Sequence, residues 1–530
     1  MKFKVLPRNT YPPKEGISTC YLEADNWNDY SFVTTFCVSL HDENGVLHKI
    51  GNVRIGFVGQ TTETATYEKL DRIFDDGLPP SFFSLGMHKE YYEELYKLDD
   101  TLREKLLNAL RDVVFSKKCL AIAENEDVFS IALLRDSSIT VVKGKYSRLL
   151  AGLEELTPYD FAFIPPDEAF GGKQLEINVV VDSTPSTNIH AIIGKNGTGK
   201  TTFLNDMVEA IINPTPDRAK IIDLDHFFEP KPQIDSDYFS SITSVSFSAF
   251  DTFIPPKEQS NPAKGTCYFY VGLKKQDKEG TLKTLEELRE DLCESMLDCF
   301  YDPKNKKLQR FIHVVGLLSF DQNIKSLNLE KYHEVYLEKI KEHSGLNEGE
   351  FRKICRDRFL ELLPPMSSGH AIVLLSTFNL IATVDDKSLV LIDEPESHLH
   401  PPLLAAFIRA LSWLLHQVNG VSIIATHSPV VLQEVPRNCV WKVMRSETET
   451  TISRPEIETF GENVGILTRE VFGLDVDRSG FITVLRKAVD SGRAFDDIYR
   501  NIFNKRIGAE GLTLLRVLVD IRDSKKVQDD

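Results

Sequence analysis

His190-Ala-Ile-Ile-Gly-Lys-Asn-Gly-Thr-Gly-Lys-Thr-Thr-Phe-Leu204 is the stretch whose reading decides the fold. A short apolar run ends at Gly194, a glycine-rich turn follows, and helix-forming residues begin at Lys200 and Thr201. This is G-x-x-x-x-G-K-[ST] without a mismatch, in a strand–loop–helix setting. Phosphate oxygens need many donors close together. Gly194, Gly197 and Gly199 let the backbone of Lys195, Asn196, Thr198 and Thr202 turn its N–H groups inward, and the following helix adds the positive end of its dipole. Lys200 offers a cation to the β- and γ-phosphates, and Thr201 a hydroxyl to Mg²⁺. A chance Lys-Thr after a glycine turn would not bring both flanks with it.

Three further pieces lie downstream. Ser388-Leu-Val-Leu-Ile-Asp-Glu394 is an apolar run ending in two carboxylates. A buried parallel strand reads this way, and its carboxyl end is where open α/β sheets put ligands. Asp393 suits Mg²⁺ beside Thr201, and Glu394 suits the attacking water. Val421-Ser-Ile-Ile-Ala-Thr-His427 repeats the pattern and ends in a histidine placed to contact a γ-phosphate. Met366-Ser-Ser-Gly-His370 precedes an apolar helical stretch, so Ser367, Ser368 and Gly369 stand at a helix N-terminus, where an anion or an ordinary serine cap fits equally.

Around these motifs the chain is ordinary. It has 530 residues, 42% apolar and 27% charged, enough for two to four packed units. A formal charge of −17 argues against broad electrostatic coating of nucleic acid. The eight cysteines include no C-x-x-C pair, which suits reduced thiols. The N-terminal residues show no apolar signal segment and no run is long enough for a membrane span, so the expected location is cytoplasmic.

The domain reading is a β-rich and helical region over 1–170, a lobe with the phosphate loop over 171–250, a helical insertion over 251–362, a second lobe over 363–450, and a helical region over 451–530; the resemblance below makes the two lobes an ATPase head and the last region a docking element. Residues 89 to 115 read as helix, with an apolar stripe from Tyr92 to Leu110. Val128 to Leu134 and Ser138 to Val142 read as strands, and Phe161 to Gly172 as a linker. Ile221 to Asp225 reads as a strand end whose D-x-D is solvated. Ser248 or Asp251 is a candidate γ-phosphate sensor. Leu282, Leu285, Leu288, Leu292 and Met296 form a stripe too short for a coiled coil. Two basic clusters, Lys304 to Arg310 and Arg352 to Arg358, read first as solvated faces.

The order phosphate loop, Ser-Ser-Gly turn, Ile-Asp-Glu-Pro-Glu, Thr-His resembles the ATP-binding-cassette ATPase superfamily. The likeness is to its soluble branch with SMC-like and overcoming-lysogenisation-type proteins. Met366 to His370 looks like the signature motif, with Ser368 for the usual first glycine and His370 for the usual glutamine. Glu396-Ser-His-Leu-His400-Pro looks like the dimer-contact loop. His398 and His400 are metal-type residues, but the resemblance assigns them to an interface. It implies an α/β head with a P-loop parallel sheet and an antiparallel β lobe, ATP and Mg²⁺ as cofactors, and a homodimer or higher oligomer in which Ser367 of one subunit caps ATP on the loop of the other. Phe82 to Gly86, Glu458 to Glu462 and Glu470 to Leu474 look like flanks of the PtuA ATPases of Septu antiphage systems and some retron operons. That implies an HNH-type (PtuB-like) nuclease partner and, in a retron, a reverse transcriptase with its RNA–DNA. Asp475 and Asp477 have too little chain around them for a nuclease domain. The rival readings are an SMC-like DNA-repair ATPase and a transporter subunit needing a permease.

Overall fold

Alternate residues of the central strands are buried in two different cores, and this sets the architecture around the site. In the computed structural model, Ile189, Ala191, Ile193, Val390, Ile392 and Ile424 join one core, while Ile192, Leu389, Leu391, Val421, Ile423 and Ala425 join another. A strand covered on both faces reads as a continuous apolar run, as these do. Each fully buried Leu or Ile adds roughly 1.5–3 kcal/mol. The structure describes the chain except residues 26–31, 136–141, 154, 167–173, 216–217, 226–229, 236–237, 249–252, 277–280, 302–305, 344–345, 447–448, 474–479 and 530.

The chain divides into two units, Met1–Thr157 and Pro158–Asp530. The first holds a six-stranded sheet in the order β5-β1-β2-β3-β4-β6. Its strands are β1 (Lys2–Leu6), β2 (Thr19–Ala24), β3 (Thr35–His41), β4 (Leu47–Phe57), β5 (Ile73–Asp75) and β6 (Phe82–Gly86). Only β1 and β2 pair in parallel. The helical stripe is two helices, α1 (Lys89–Tyr96) and α2 (Asp100–Ala109), because Asp99 caps the second by accepting from the Leu102 N–H at 3.0 Å. Two short helices follow, α3 (Lys117–Ala123) and α4 (Ser147–Leu150).

The strand expected at Val128–Leu134 is instead a wide helical turn over Phe129–Leu133, closed by the Leu134 N–H on the Phe129 carbonyl at 2.9 Å. Val128, Phe129, Ala132 and Leu133 are buried, a four-residue recurrence rather than an alternation. The second expected strand fails likewise where it is described, since Val142–Tyr146 is helical, and 138–141 lie outside the described residues.

In the second unit, β7 (Tyr159–Ile164) runs between β8 (Leu175–Val179) and β10 (Lys220–Asp223) in an antiparallel three-stranded sheet. This corrects the linker reading for 161–164, while 167–172 lie outside the described residues: Phe161 and Phe163 are fully buried, and the strand stops where Pro165-Pro166 remove two backbone donors. Asp223 accepts from the Asp225 N–H at 3.1 Å, a turn bond that occupies the D-x-D.

The seven-stranded sheet runs β12-β11-β13-β14-β9-β15-β16. It comprises β9 (Ile189–Gly194), β11 (Ser241–Ser246), β12 (Cys267–Gly272), β13 (Ser388–Asp393), β14 (Val421–Thr426), β15 (Val440–Ser446) and β16 (Glu449–Ser453). All neighbours are parallel except β15 and β16. Helix α5 (Lys200–Ile212) leaves the loop after β9 and packs Phe203 and Met207 into the core shared with β7 and β8.

The opposite face is covered by α6 (Leu285–Phe300), α7 (Lys306–Leu318), α8 (Gln322–Ser326), α9 (Glu330–Glu342), α10 (Glu348–Leu362), α11 (Ser368–Thr383) and α12 (Pro401–Gln417). Thr284 and Glu287 form a reciprocal capping box at the start of α6. In the second basic cluster, Arg352 binds Glu294 at 2.8 Å and Asp298 at 2.7 Å, and Arg356 reaches Glu294 at 3.4 Å. These charges serve helix packing. Lys304 lies outside the described residues. After α13 (Pro429–Gln433) and α14 (Val464–Phe472), α15 (Gly480–Asp490) and α16 (Ala509–Asp529) share a small separate core around Leu485, Ile498 and Leu515. Asp475 and Asp477 lie outside the described residues.

Candidate nucleotide site

Parallel pairing in register brings the strand ends to one rim. Ser246 pairs with Asp393, Asp393 with Ala425, Thr426 with Ile193, and Gly194 with Val443. Residues that follow β9, β13 and β14 must therefore meet, although up to about 230 positions separate them in the chain.

The phosphate loop has the backbone its glycines allow. Gly197 and Gly199 have φ of +79° and +91°. Gly194 faces a different constraint, because a Cβ there would lie 2.3 Å from the Val443 carbonyl oxygen of the neighbouring strand. Thr198 Oγ1 donates to the Lys195 carbonyl at 2.9 Å and so holds the loop closed. Lys200 is only 4% exposed, and its Nζ donates to the carbonyls of Gly194 and Lys195 at 3.0 Å each. Burial holds the ammonium pKa below its ordinary value, opposed by the charges of Glu394, Asp393 and Glu396.

The carboxylates stand opposite. Thr201 Oγ1 donates to Asp393 Oδ2 at 2.9 Å. Glu394 has φ of +45°, a left-handed conformation for a residue with a side chain, which costs about 1–3 kcal/mol and is held by its N–H on the Ala425 carbonyl at 2.9 Å. Its Oε1 lies 3.9 Å from Lys200 Nζ and 3.5 Å from His427 Nδ1. The His427 contact, aided by the Lys200 charge, holds the Glu394 carboxyl below the usual carboxylate range.

Sequence reasoning passed over Glu396 as a site residue. Its side chain is 7% exposed, and Oε1 accepts from Thr426 Oγ1 at 2.6 Å and from the His427 N–H at 2.5 Å. His427 Nδ1 is 3.1 Å from the same oxygen. The signal was the Glu-Pro-Glu spacing, which starts a short turn at Pro395 and aims both acids at the strand carrying the histidine.

Glu394 first, and then the charges of Glu396 and Glu394, raise the His427 pKa. A histidine raised on folding stabilises the protein fully below its ordinary pKa of about 6.5 and loses that contribution as pH rises through the folded value. The stability deficit of His427→Gln, read from denaturation midpoints, is therefore expected to be largest near about pH 6 and to shrink toward about pH 9. A deficit constant across that range would remove the ion pair.

Ser367 caps α11, its Oγ accepting from the His370 N–H at 3.3 Å and lying 2.6 Å from His370 Nδ1. Ser368 and Gly369 form the first turn of that helix. A Cβ on Gly369 would meet the His398 carbonyl oxygen at 2.3 Å, so the Ser367–Gly369 turn is pressed against the loop that follows Glu396. Ser248 follows β11, whose end lies at the same rim, and Asp251 lies outside the described residues.

The sheet, its phosphate loop and the acids at the rim define a P-loop ATPase, a class that uses a nucleotide with Mg²⁺. Residues 359–433 match the family model described as "AAA domain, putative AbiEii toxin, Type IV TA system". The chain belongs to the family of protein ea59 of Escherichia phage lambda, being 46% identical to it over 533 residues that span 100% of both chains. Among solved structures, the ADP conformation of an ATP-binding cassette of an ABC transporter covers 61% of this chain and 100% of its own, at 14% identity and a TM-score of 0.30. A Clostridium perfringens protein, part of the ABC transporter complex cbiONQ, covers 61% and 94% at 13% identity and a TM-score of 0.29. Among the described residues, no helix is long and apolar enough to cross a membrane.

Proposed function

We propose that this protein hydrolyses ATP between two copies of itself and uses the closed dimer to control a separate effector. The observation that carries the reading is the Thr201–Asp393 bond of 2.9 Å, which joins the start of α5 to the end of β13, with Lys200, Glu394 and His427 around it. The backbone donors of Gly194 to Thr202 and the Lys200 ammonium bind the phosphates. A hydroxyl and a carboxylate oxygen already paired are the hard ligands that suit Mg²⁺, and when bound it neutralises charge on the β- and γ-phosphate oxygens.

Glu394 orients and polarises the attacking water, His427 contacts the γ-phosphate, and Glu396 holds His427. Asn196 and Thr202 belong to the same cradle. Ser367, Ser368 and Gly369 of one copy cap the nucleotide held by the other, so ATP acts as a ligand of the closed state. By resemblance to the PtuA ATPases, the effector is an HNH-type nuclease subunit, in a retron setting together with a reverse transcriptase. The phage origin of the relative is compatible with a part in conflict between phages and their hosts. The five-part domain division, with the tail after residue 450 as docking region, belongs to this reading.

Sedimentation of the full chain tests the core of it. Mg²⁺ with a non-hydrolysable ATP analogue is expected to convert monomer to dimer, and Ser367→Arg, which blocks the signature turn, to abolish the conversion while leaving nucleotide binding intact. A nucleotide-bound chain that stays monomeric, or a Ser367→Arg chain that dimerises normally, removes the sandwich.

A further inference from the structure

Asp321, at the N-terminus of α8 in the helical insertion, lies beside two histidines from elsewhere in the chain. His370 comes from the signature turn and His400 from the contact loop. The three offer one ligand atom each, all within 4.8 Å of one another. Asp321 Oδ1 is 3.3 Å from His370 Nε2, and Oδ2 is 3.4 Å from His400 Nε2. The Asp321 side chain is 8% exposed and that of His370 14%, and His370 Nε2 is shielded from solvent with no hydrogen-bond partner.

These separations are long for N–H···O bonds, which cluster near about 2.7–3.2 Å. The Oδ2–His400 separation matches ligands that share an ion, because two atoms each about 2.0–2.2 Å from a tetrahedral metal lie roughly 3.3–3.6 Å apart, and His370 Nε2 lies within 4.8 Å of the other ligand atoms. We propose that Asp321, His370 and His400 bind a divalent transition metal of the zinc class, leaving a fourth position for water.

The surroundings fit that role. Asp321 Oδ1 accepts from the N–H groups of Asn323 at 2.8 Å and Ile324 at 3.3 Å, which leaves Oδ2 as the ligand and orients it. A metal on His370 Nε2 puts the ring proton on Nδ1, 2.6 Å from Ser367 Oγ. With Nδ1–H and the His370 backbone N–H both donating to that oxygen, the Ser367 hydroxyl proton points away from the turn, toward an incoming anion. His400 gives up a weak bond, since its Nδ1 accepts from the Leu403 N–H at 3.4 Å and ligation through Nε2 needs that nitrogen protonated. Its side chain is 51% exposed, so the ring is free to adjust.

The metal would tie the insertion, the signature turn and the contact loop together. Only this consequence rests on the ATP sandwich proposed above; metal binding itself does not.

The test uses the full chain without nucleotide or Mg²⁺, titrated with Co²⁺. One ion per chain is expected, with the intense visible bands of a four-coordinate site, displaced by Zn²⁺. Asp321→Asn keeps a helix cap but supplies a poorer ligand, and His400→Ala removes a half-exposed ring that caps α12 only through the long 3.4 Å bond. Each is expected to weaken binding roughly 100-fold or more, while Asp393→Asn leaves it unchanged. A wild-type chain without those bands, or equal binding in Asp321→Asn and His400→Ala, overturns the site. If the metal binds as expected but its removal by a chelator leaves nucleotide-driven dimerisation unaltered, the metal site stands and its link to Ser367 falls.

Discussion

Replacing Lys200 by alanine is expected to abolish measurable nucleotide binding while leaving the fold intact. The ammonium is almost wholly buried and is held by two loop carbonyls at 3.0 Å. Without phosphates it is a costly group, since burial disfavours its charge, so its removal does not threaten the core. With phosphates it becomes the main cation of the loop. Two charge-assisted contacts are worth about 3 kcal/mol or more, a roughly 100-fold or greater rise in Kd. Calorimetric titration with an ATP analogue and Mg²⁺ measures this directly. Binding within a few-fold of the unaltered protein would mean that residues 194 to 202 do not cradle phosphate.

The second large effect separates binding from turnover. Glu394→Gln keeps the size of the side chain and the backbone turn at φ +45° but cannot take a proton. Hydrolysis is expected to fall by roughly 10²–10⁴-fold, the range typical of a lost general base, with nucleotide affinity unchanged or higher. The loss of negative charge next to Lys200, 3.9 Å away, works in the same direction for binding an anion. Phosphate release under saturating ATP is the readout. Turnover near that of the unaltered chain would pass the role of water activator to another residue, with Glu396 next in line.

Where chemistry is contiguous in the chain, the sequence was legible. The phosphate loop needs a turn, a cation and a hydroxyl within a few residues, and all of them lie between Gly194 and Thr202. The β13 and β14 strands declared themselves because burial on both faces leaves no polar alternation until the rim, where Asp393, Glu394 and His427 stand.

Reading failed where tertiary packing overrode local pattern. Val128 to Leu134 is as apolar and β-branched as a strand, yet its buried positions recur at a helical interval. Phe161 to Ile164 looked like linker because of the prolines behind it, and is the middle strand of a sheet. Asp321 could not have been found at all: it lies among insertion helices, and only folding brings it to His370 and His400. The basic side chains of α10 gave no sign of the acids on α6 that neutralise Arg352 and Arg356.

The strand order β13-β14-β9 has a consequence for biogenesis. The element that separates the two halves of the rim, Val421–Thr426, is the last of the three to be synthesised. A growing polypeptide thus owns its glycine cradle long before it owns a complete rim, and the gap between β9 and β13 stays open at least until residue 426 has been added. Such late, long-range closure is slow by nature. It also means that Thr201, Asp393 and His427 come together only once β14 has docked between β9 and β13.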